Sequence, residues 1–185
     1  MSDYSLNLAT ANNDGKCTVG KHCYGHLNIR GYHLLNKCNV GSFCAVGANV
    51  EIIIKGWSHN TDWFTAYPFE SFANKFSNAS NIAPYPRVPR VIDIGNDVWL
   101  GMNSLIMSDV KIGDGVVVGT RAIVTKDVPA YHIAVGSPAR FIPRFDQNTI
   151  DILLQLKWWE WTDEKINNHI DIINSNNIDQ LKNLL

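Results

Sequence analysis

A parallel β-helix of six-residue repeats, with a long excursion loop and short C-terminal α-helices, is the fold this sequence predicts, and three observations predict it. Ile94, Leu100, Ile106, Ile112, Val118 and Val124 recur at steps of six, and four residues after them come Val98, Ser104, Val110, Val116, Ala122 and Val128. Glycine follows the aliphatic residue at Gly95, Gly101, Gly113 and Gly119. The pattern breaks between residues 57 and 91 and ends after Pro129, which marks off an excursion and a tail.

Each six-residue unit offers one large aliphatic and one smaller side chain to a common interior. The period is too short for a helical solenoid and suits a β-helix, where three corners per coil give about 18 residues a turn. The glycines are expected at corners, using their freedom at positive φ. Strands of sandwiches and barrels alternate with period two, so six consecutive units without a slip argue against them.

The same frame runs earlier through Leu34, Val40, Val46 and Ile52, with Cys38, Cys44 and Val50 at the smaller inward position and Gly41 and Gly47 after the aliphatics. Val19 and Gly20 suggest one more unit with Cys17 and Cys23 inward, offset by three from the later frame. A bulge or short loop around His26 to His33 is expected to absorb that offset.

The 57–91 excursion carries Pro68, Pro84, Pro86 and Pro89 with a run of aromatic residues from Trp57 to Phe69. Long irregular segments inside compact domains are usually functional or disordered, and the aromatic content argues against disorder. From Asn148, Ile150, Leu153 and Leu154, then Ile166, Ile170 and Ile173, recur at helical steps. Two short helices are expected to pack on the end of the prism, the second capped by Thr162 with Asp163 and Glu164 following. Trp158, Trp159 and Trp161 between them would dock the tail on the core. The organisation expected is a β-helix domain over 1–147 and a helical extension of that domain over 148–185.

With 185 residues, 45% of them hydrophobic, one domain with a substantial core is expected. Sixteen basic and 17 acidic residues leave a formal charge of −1 without a long run of either sign, which argues against nucleic acid as a partner. No stretch approaches the roughly 20 apolar residues of a membrane span, and Met1 to Ala11 lacks a signal-peptide layout. A soluble, cytoplasmic protein is expected. Cys17 and Cys23, like Cys38 and Cys44, are six apart, the repeat period rather than zinc-ligand spacing, and read as buried thiols. His22, His26, His33, His132 and His169 show no paired spacing for a metal, and no metal is expected.

Four segments carry a resemblance to a known family. They are Tyr24-Gly25-His26 followed by Val40-Gly41-Ser42-Phe43-Cys44; Ser58-His59-Asn60-Thr61-Asp62-Trp63 leading to Tyr67-Pro68-Phe69; Ile94-Gly95-Asn96-Asp97-Val98-Trp99-Leu100-Gly101; and Val135-Gly136-Ser137-Pro138-Ala139-Arg140. Over residues 15 to 165 the chain resembles the hexapeptide-repeat acyltransferases, in the branch of type B xenobiotic and surface-polysaccharide O-acetyltransferases. The resemblance implies a left-handed coil, a homotrimer with sites between subunits, and acetyl-CoA as donor.

The resemblance also assigns roles. His59 becomes the general base, since removing a hydroxyl proton during acetyl transfer needs a group titrating near neutrality. Ser58 stands where the family commonly has asparagine. Asp62 would orient the imidazole, bind the acceptor or cap the loop; Trp63, Tyr67 and Phe69 would line the acceptor site or anchor the loop. Trp99, Met102, Thr120, Thr125 and Lys126, with Arg140 near the nucleotide end, would hold coenzyme A. A P-loop or Gly-x-Gly-x-x-Gly fingerprint is absent. The expected acceptor is a sugar hydroxyl of a surface glycan or its precursor, with chloramphenicol or a streptogramin as the rival. A noncatalytic β-helix scaffold and a zinc-dependent γ-carbonic anhydrase relative are the alternatives of other classes.

Overall fold

A computed structural model describes residues 2–10, 17–32, 36–54, 62–83 and 89–185. His59 and Leu34 therefore lie outside the described residues. Three walls are built by strands that the chain visits in rotation. Cys17–Val19, Lys37–Val40, Val91–Ile94 and Lys111–Ile112 stack as the first wall; Ala45–Val46, Trp99–Leu100, Val117–Val118 and His132–Gly136 as the second; His26–Tyr32, Val50–Ile53, Leu105–Ile106 and Ile123–Val124 as the third. Neighbours within each wall run parallel. Lys111 pairs with Asp93, Val117 with Trp99 and Ile123 with Leu105, each 18 residues apart, which is the coil length the repeat predicts.

Across the excursion the partners are Lys37 and Val91, Ala45 and Trp99, Glu51 and Leu105, all 54 apart. The loop thus consumes the length of two coils while adding none. It leaves after Ile54 and returns at Val91, so it begins two residues earlier than the aromatic run suggested. In the first coil Cys17 pairs with Cys38, 21 apart, and the additional three residues are the offset seen in the sequence. That offset is the balance of two changes. The turn before Leu27, which pairs with Val50, is two residues shorter than in the next coil, and the passage from Arg30 to Lys37 is longer.

The inward positions form one continuous core, with Leu27, Ile52, Ile106, Val118 and Val124 fully buried and the four cysteines among them as thiols in no disulfide. Burying each large aliphatic side chain contributes about 1.5–3 kcal/mol. The two ends of the coil would leave open strand edges, which invite unwanted pairing. Ser2–Asn7 covers one by pairing antiparallel with His26–Tyr32, and Ala139–Pro143 covers another by pairing antiparallel with His132–Gly136. Neither antiparallel cover follows from the six-residue period.

The corners differ from expectation. Among the residues at positive φ are Phe43, Asp97 and Gly115 on the edge between the first and second walls, and Asn49, Asn103 and Arg121 on the edge between the second and third. Each stands two positions after the glycine that follows the aliphatic residue. Those glycines serve close approach instead: a β-carbon on Gly41 would lie 2.5 Å from the Gly95 carbonyl oxygen, one on Gly101 2.6 Å from the Val118 oxygen, and one on Gly113 2.5 Å from the Ala130 nitrogen. The residue after each glycine then ties the coils together. Lys21 N–H donates to Ser42 Oγ (3.2 Å), Ser42 N–H to Asn96 Oδ1 (2.8 Å) and Asn96 N–H to Asp114 Oδ1 (2.7 Å).

The tail forms four helices where two were expected. α1 spans Gln147–Leu156, α2 Asp163–Asn168, α3 Ile170–Ile173 and α4 Ile178–Lys182. Asp146 caps α1 by accepting from the Thr149 N–H, and Thr162 caps α2 as anticipated. The expected second helix is broken at His169, whose φ of −130° and ψ of 18° leave the helical region while its Nδ1 lies 2.8 Å from the Lys165 carbonyl. The helices do not sit on the end of the prism. They run along the edge between the first and second walls, where Trp159 and Ile150 bury Tyr131, Trp158 packs on Phe43 with ring centroids 4.7 Å apart, and Lys21 pairs with Asp163 at 3.0 Å. No helix among the described residues is long and apolar enough to cross a membrane.

One inward hydroxyl breaks the apolar interior. Ser104 is 1% exposed, and its Oγ has no hydrogen-bond partner. An unmade bond of this kind costs about 1–3 kcal/mol. Ser104→Ala is expected to raise unfolding stability by about 1 kcal/mol, read from the midpoint of chemical denaturation at unchanged slope; a lowered midpoint would show that the hydroxyl is satisfied.

Candidate active site

Two separate edges of the prism carry the residues singled out for the donor. Trp99 points outward from the second wall, 55% exposed, directly over Ala45 and under Val117 in the strand ladder. Met102 and Thr120, one coil apart, stand at the edge between the second and third walls, where the Met102 carbonyl accepts from the Arg121 N–H. Arg140 pairs with Val135 at the upper end of the second wall and is exposed. These four share one side of the molecule, where Trp99 and the half-exposed Met102 make an apolar surface.

Thr125 and Lys126 are elsewhere. They follow Ile123–Val124 on the edge between the third and first walls, two coils above the point where the excursion leaves, and both are exposed. The third wall separates the two groups within one chain.

The excursion holds the acceptor candidates. Asp62 and Trp63 are exposed near the start of its described part. Tyr67 and Phe69 join a cluster that includes Phe72 and Phe76: Tyr67 stacks on Phe72 with centroids 5.2 Å apart, and Phe69 meets Tyr67 at 4.8 Å and Phe76 at 5.1 Å. Phe72 and Phe76 were not anticipated. Their short 3-10 turns, Phe69–Phe72 and Ser77–Asn81, have no periodicity to betray them. Tyr67 keeps 43% of its surface exposed and so can both anchor the loop and present a ring.

A further group of polar residues, also unforeseen, lies beneath the tail. Asp97, Tyr131 and Arg144 line a cleft of about 860 Å³ between the first–second edge and the helices. Burial pushes the Asp97 carboxyl up to about 6, against the opposing pull of the Arg144 guanidinium, and pushes the Tyr131 phenol well above its ordinary value. Arg144 donates to the Gly115 carbonyl and lies over the rings of Tyr131 and Phe145, 5.8 Å and 5.1 Å from their centroids. Among the described residues no group of three or more His, Cys, Asp and Glu side chains comes together as a metal site.

Known proteins place this arrangement. The family model described as "Bacterial transferase hexapeptide (six repeats)" matches residues 92–126. A chloramphenicol acetyltransferase of Agrobacterium fabrum is 41% identical over 143 residues, covering 75% of this chain and 67% of that protein. A chloramphenicol acetyltransferase of Morganella morganii is 38% identical over 146 residues, 78% of this chain and 69% of that one. A probable macrolide acetyltransferase of Lysinibacillus sphaericus is 38% identical over 142 residues, 76% of this chain and 78% of that one. The chain belongs to the hexapeptide-repeat acetyltransferases. For an enzyme of this family, the three-walled prism is the scaffold and the excursion is the segment that interrupts it.

In this acetyltransferase Asp97 is a titrating weak point of the scaffold. Its carboxyl pKa is raised in the folded chain, so the stability it permits is complete below about pH 4 and is lost as pH rises through about 6. Asn tolerates the positive φ of 55° at this position. Asp97→Asn is expected to melt at a higher temperature than the parent at pH 8 and at nearly the same temperature at pH 4, by thermal unfolding followed across that range. A difference independent of pH would contradict the assignment.

Proposed function

We propose that this acetyltransferase moves the acetyl group of acetyl-CoA to a hydroxyl of a small, largely apolar antibiotic-like acceptor of the chloramphenicol or macrolide kind. The 41% identity to a chloramphenicol acetyltransferase over three quarters of the chain carries this reading. It reverses the order in which the sequence alone ranked a glycan hydroxyl and a xenobiotic one. The exposed Tyr67 ring and its aromatic neighbours suit an apolar acceptor at least as well as a sugar.

The donor residues fit coenzyme A in kind. Trp99 and Met102 offer apolar surface to an extended arm, Thr120 and Thr125 offer hydroxyls, and Lys126 and Arg140 offer charge to phosphates. When bound, acetyl-CoA supplies an activated acyl group as a thioester. Because Met102 and Thr120 stand on one edge of the prism and Thr125 and Lys126 on another, one chain alone cannot enclose the arm between them. A homotrimer of left-handed coils, in which each groove joins different edges of two protomers, would bring both sets to one ligand.

In this reading the imidazole of His59 accepts the acceptor's hydroxyl proton as its oxygen attacks the thioester carbonyl, and returns that proton to the departing sulfur. Transfer is direct, without an acyl-enzyme. Asp62 would orient the imidazole or bind the acceptor.

Free-thiol release from acetyl-CoA, compared across chloramphenicol, a macrolide, a group A streptogramin and simple sugars, tests the acceptor class: turnover should be greatest with an antibiotic, and selective turnover of sugars would restore the glycan reading. His59→Ala should lower that turnover by about 100-fold or more while coenzyme A binding persists, and undiminished turnover would remove His59 from the mechanism.

A further inference from the structure

A single buried amide joins the two ends of the excursion. Asn36 is 2% exposed and stands just before the strand Lys37–Val40. Its Nδ2 donates to the Ile54 carbonyl at 2.6 Å, and its Oδ1 accepts from the Arg90 N–H at 3.0 Å. Ile54 is where the chain leaves the third wall, and Arg90 is where it returns to the first. The amide cannot be turned round, because a carbonyl requires the NH2 side and an N–H requires the oxygen.

The rest of the stem is equally committed. Ile54 N–H donates to the Arg30 carbonyl at 3.1 Å, and Lys37 N–H donates to the Arg90 carbonyl at 2.9 Å. On the coil above, the Arg90 guanidinium pairs with Asp109. Every backbone polar group of both stem residues is therefore spoken for, and Asn36 supplies one bond to each. No other described side chain hydrogen-bonds both ends. A loop two coil lengths long costs chain entropy to close, and its entry and exit are held by these bonds in addition to the strand ladder.

We infer that Asn36 is a positioning residue for acetyl transfer: it fixes the stem of the excursion, and through it the aromatic acceptor cluster and the segment containing His59, against the coils that hold the donor. This rests on the function proposed above. The residue touches neither substrate and acts through the backbone at Ile54 and Arg90. A shift of about 1 Å in a catalytic group, from a change distant from the chemistry, can cost roughly 100-fold in rate.

Asn36→Asp tests the inference on the full chain. The carboxylate keeps the side-chain volume and the bond from the Arg90 N–H but has no hydrogen to give the Ile54 carbonyl. Expected are a kcat lowered about 10- to 100-fold, a raised acceptor KM, and a coenzyme A dissociation constant within about twofold of the parent, since the donor residues lie on the coils. The decisive comparison adds His59→Ala. If Asn36 acts by placing His59, the double variant should be no slower than His59→Ala alone, whereas an equal further loss in that background would overturn the inference. Full activity of His59→Ala by itself would instead strike the underlying mechanism and is read separately. Asn36→Ser, which leaves room for a bridging water, provides the same readouts if the aspartate variant does not assemble. Failure of both to fold, or coenzyme A binding lost in step with kcat, would make Asn36 a determinant of folding and not of position.

Discussion

Consecutive coils approach so closely at the glycine positions that no β-carbon fits between them, and the rest of the molecule follows from that contact. With Gly41, Gly95 and Gly113 pressed on the backbone of the next coil, the corner can only turn two residues later, at Phe43, Asp97 and Gly115. The 18-residue coil is thereby held constant, and side chains one coil apart fall into columns. The columns decide the chemistry of each surface. Inward columns are aliphatic; an outward column on the first wall is a polar ladder in which Thr18 Oγ1 donates to Asn39 Oδ1 and Asn39 Nδ2 to Asp93 Oδ1, at 2.8 Å and 2.7 Å. An outward column on the second wall places Trp99 between Ala45 and Val117.

Such a prism repeats the same pairing from coil to coil. The excursion supplies the exception. It leaves and re-enters the same edge while the ladder closes beneath it, with Lys37 paired to Val91 as if nothing intervened. The scaffold thus accommodates a segment of two coil lengths, with a buried amide and an ion pair at its stem among the described residues. A change within that segment can leave the columns of the walls undisturbed.

How much of this could be read from the residues depends on whether a feature repeats. The walls, the coil length, the inward cysteines and the three-residue offset of the first coil were legible, because each follows from a period of six. The position of the turns was not, because Gly95 and Asp97 both lie in the corner and the period does not say which one bends. Nor did the sequence disclose Asn36: a polar residue before a strand usually reads as a surface residue, and its two partners are 18 and 54 positions away. The four helices were read as two since Ile166 and Ile170 keep helical spacing across the break that His169 makes. Trp99, Met102, Thr120 and Arg140 lie on one side of the chain, Thr125 and Lys126 stand on another edge, and His59 lies outside the described residues.

That division between edges is the point on which the functional reading turns, since it requires two protomers for one complete site. A crystal structure of the enzyme with coenzyme A and chloramphenicol tests it most directly. The sulfur should lie beside His59 in a groove between protomers, with Trp99 and Met102 on one side of the arm and Thr125 and Lys126 of the neighbouring chain on the other. Coenzyme A bound wholly within one protomer, its sulfur remote from His59, would contradict it.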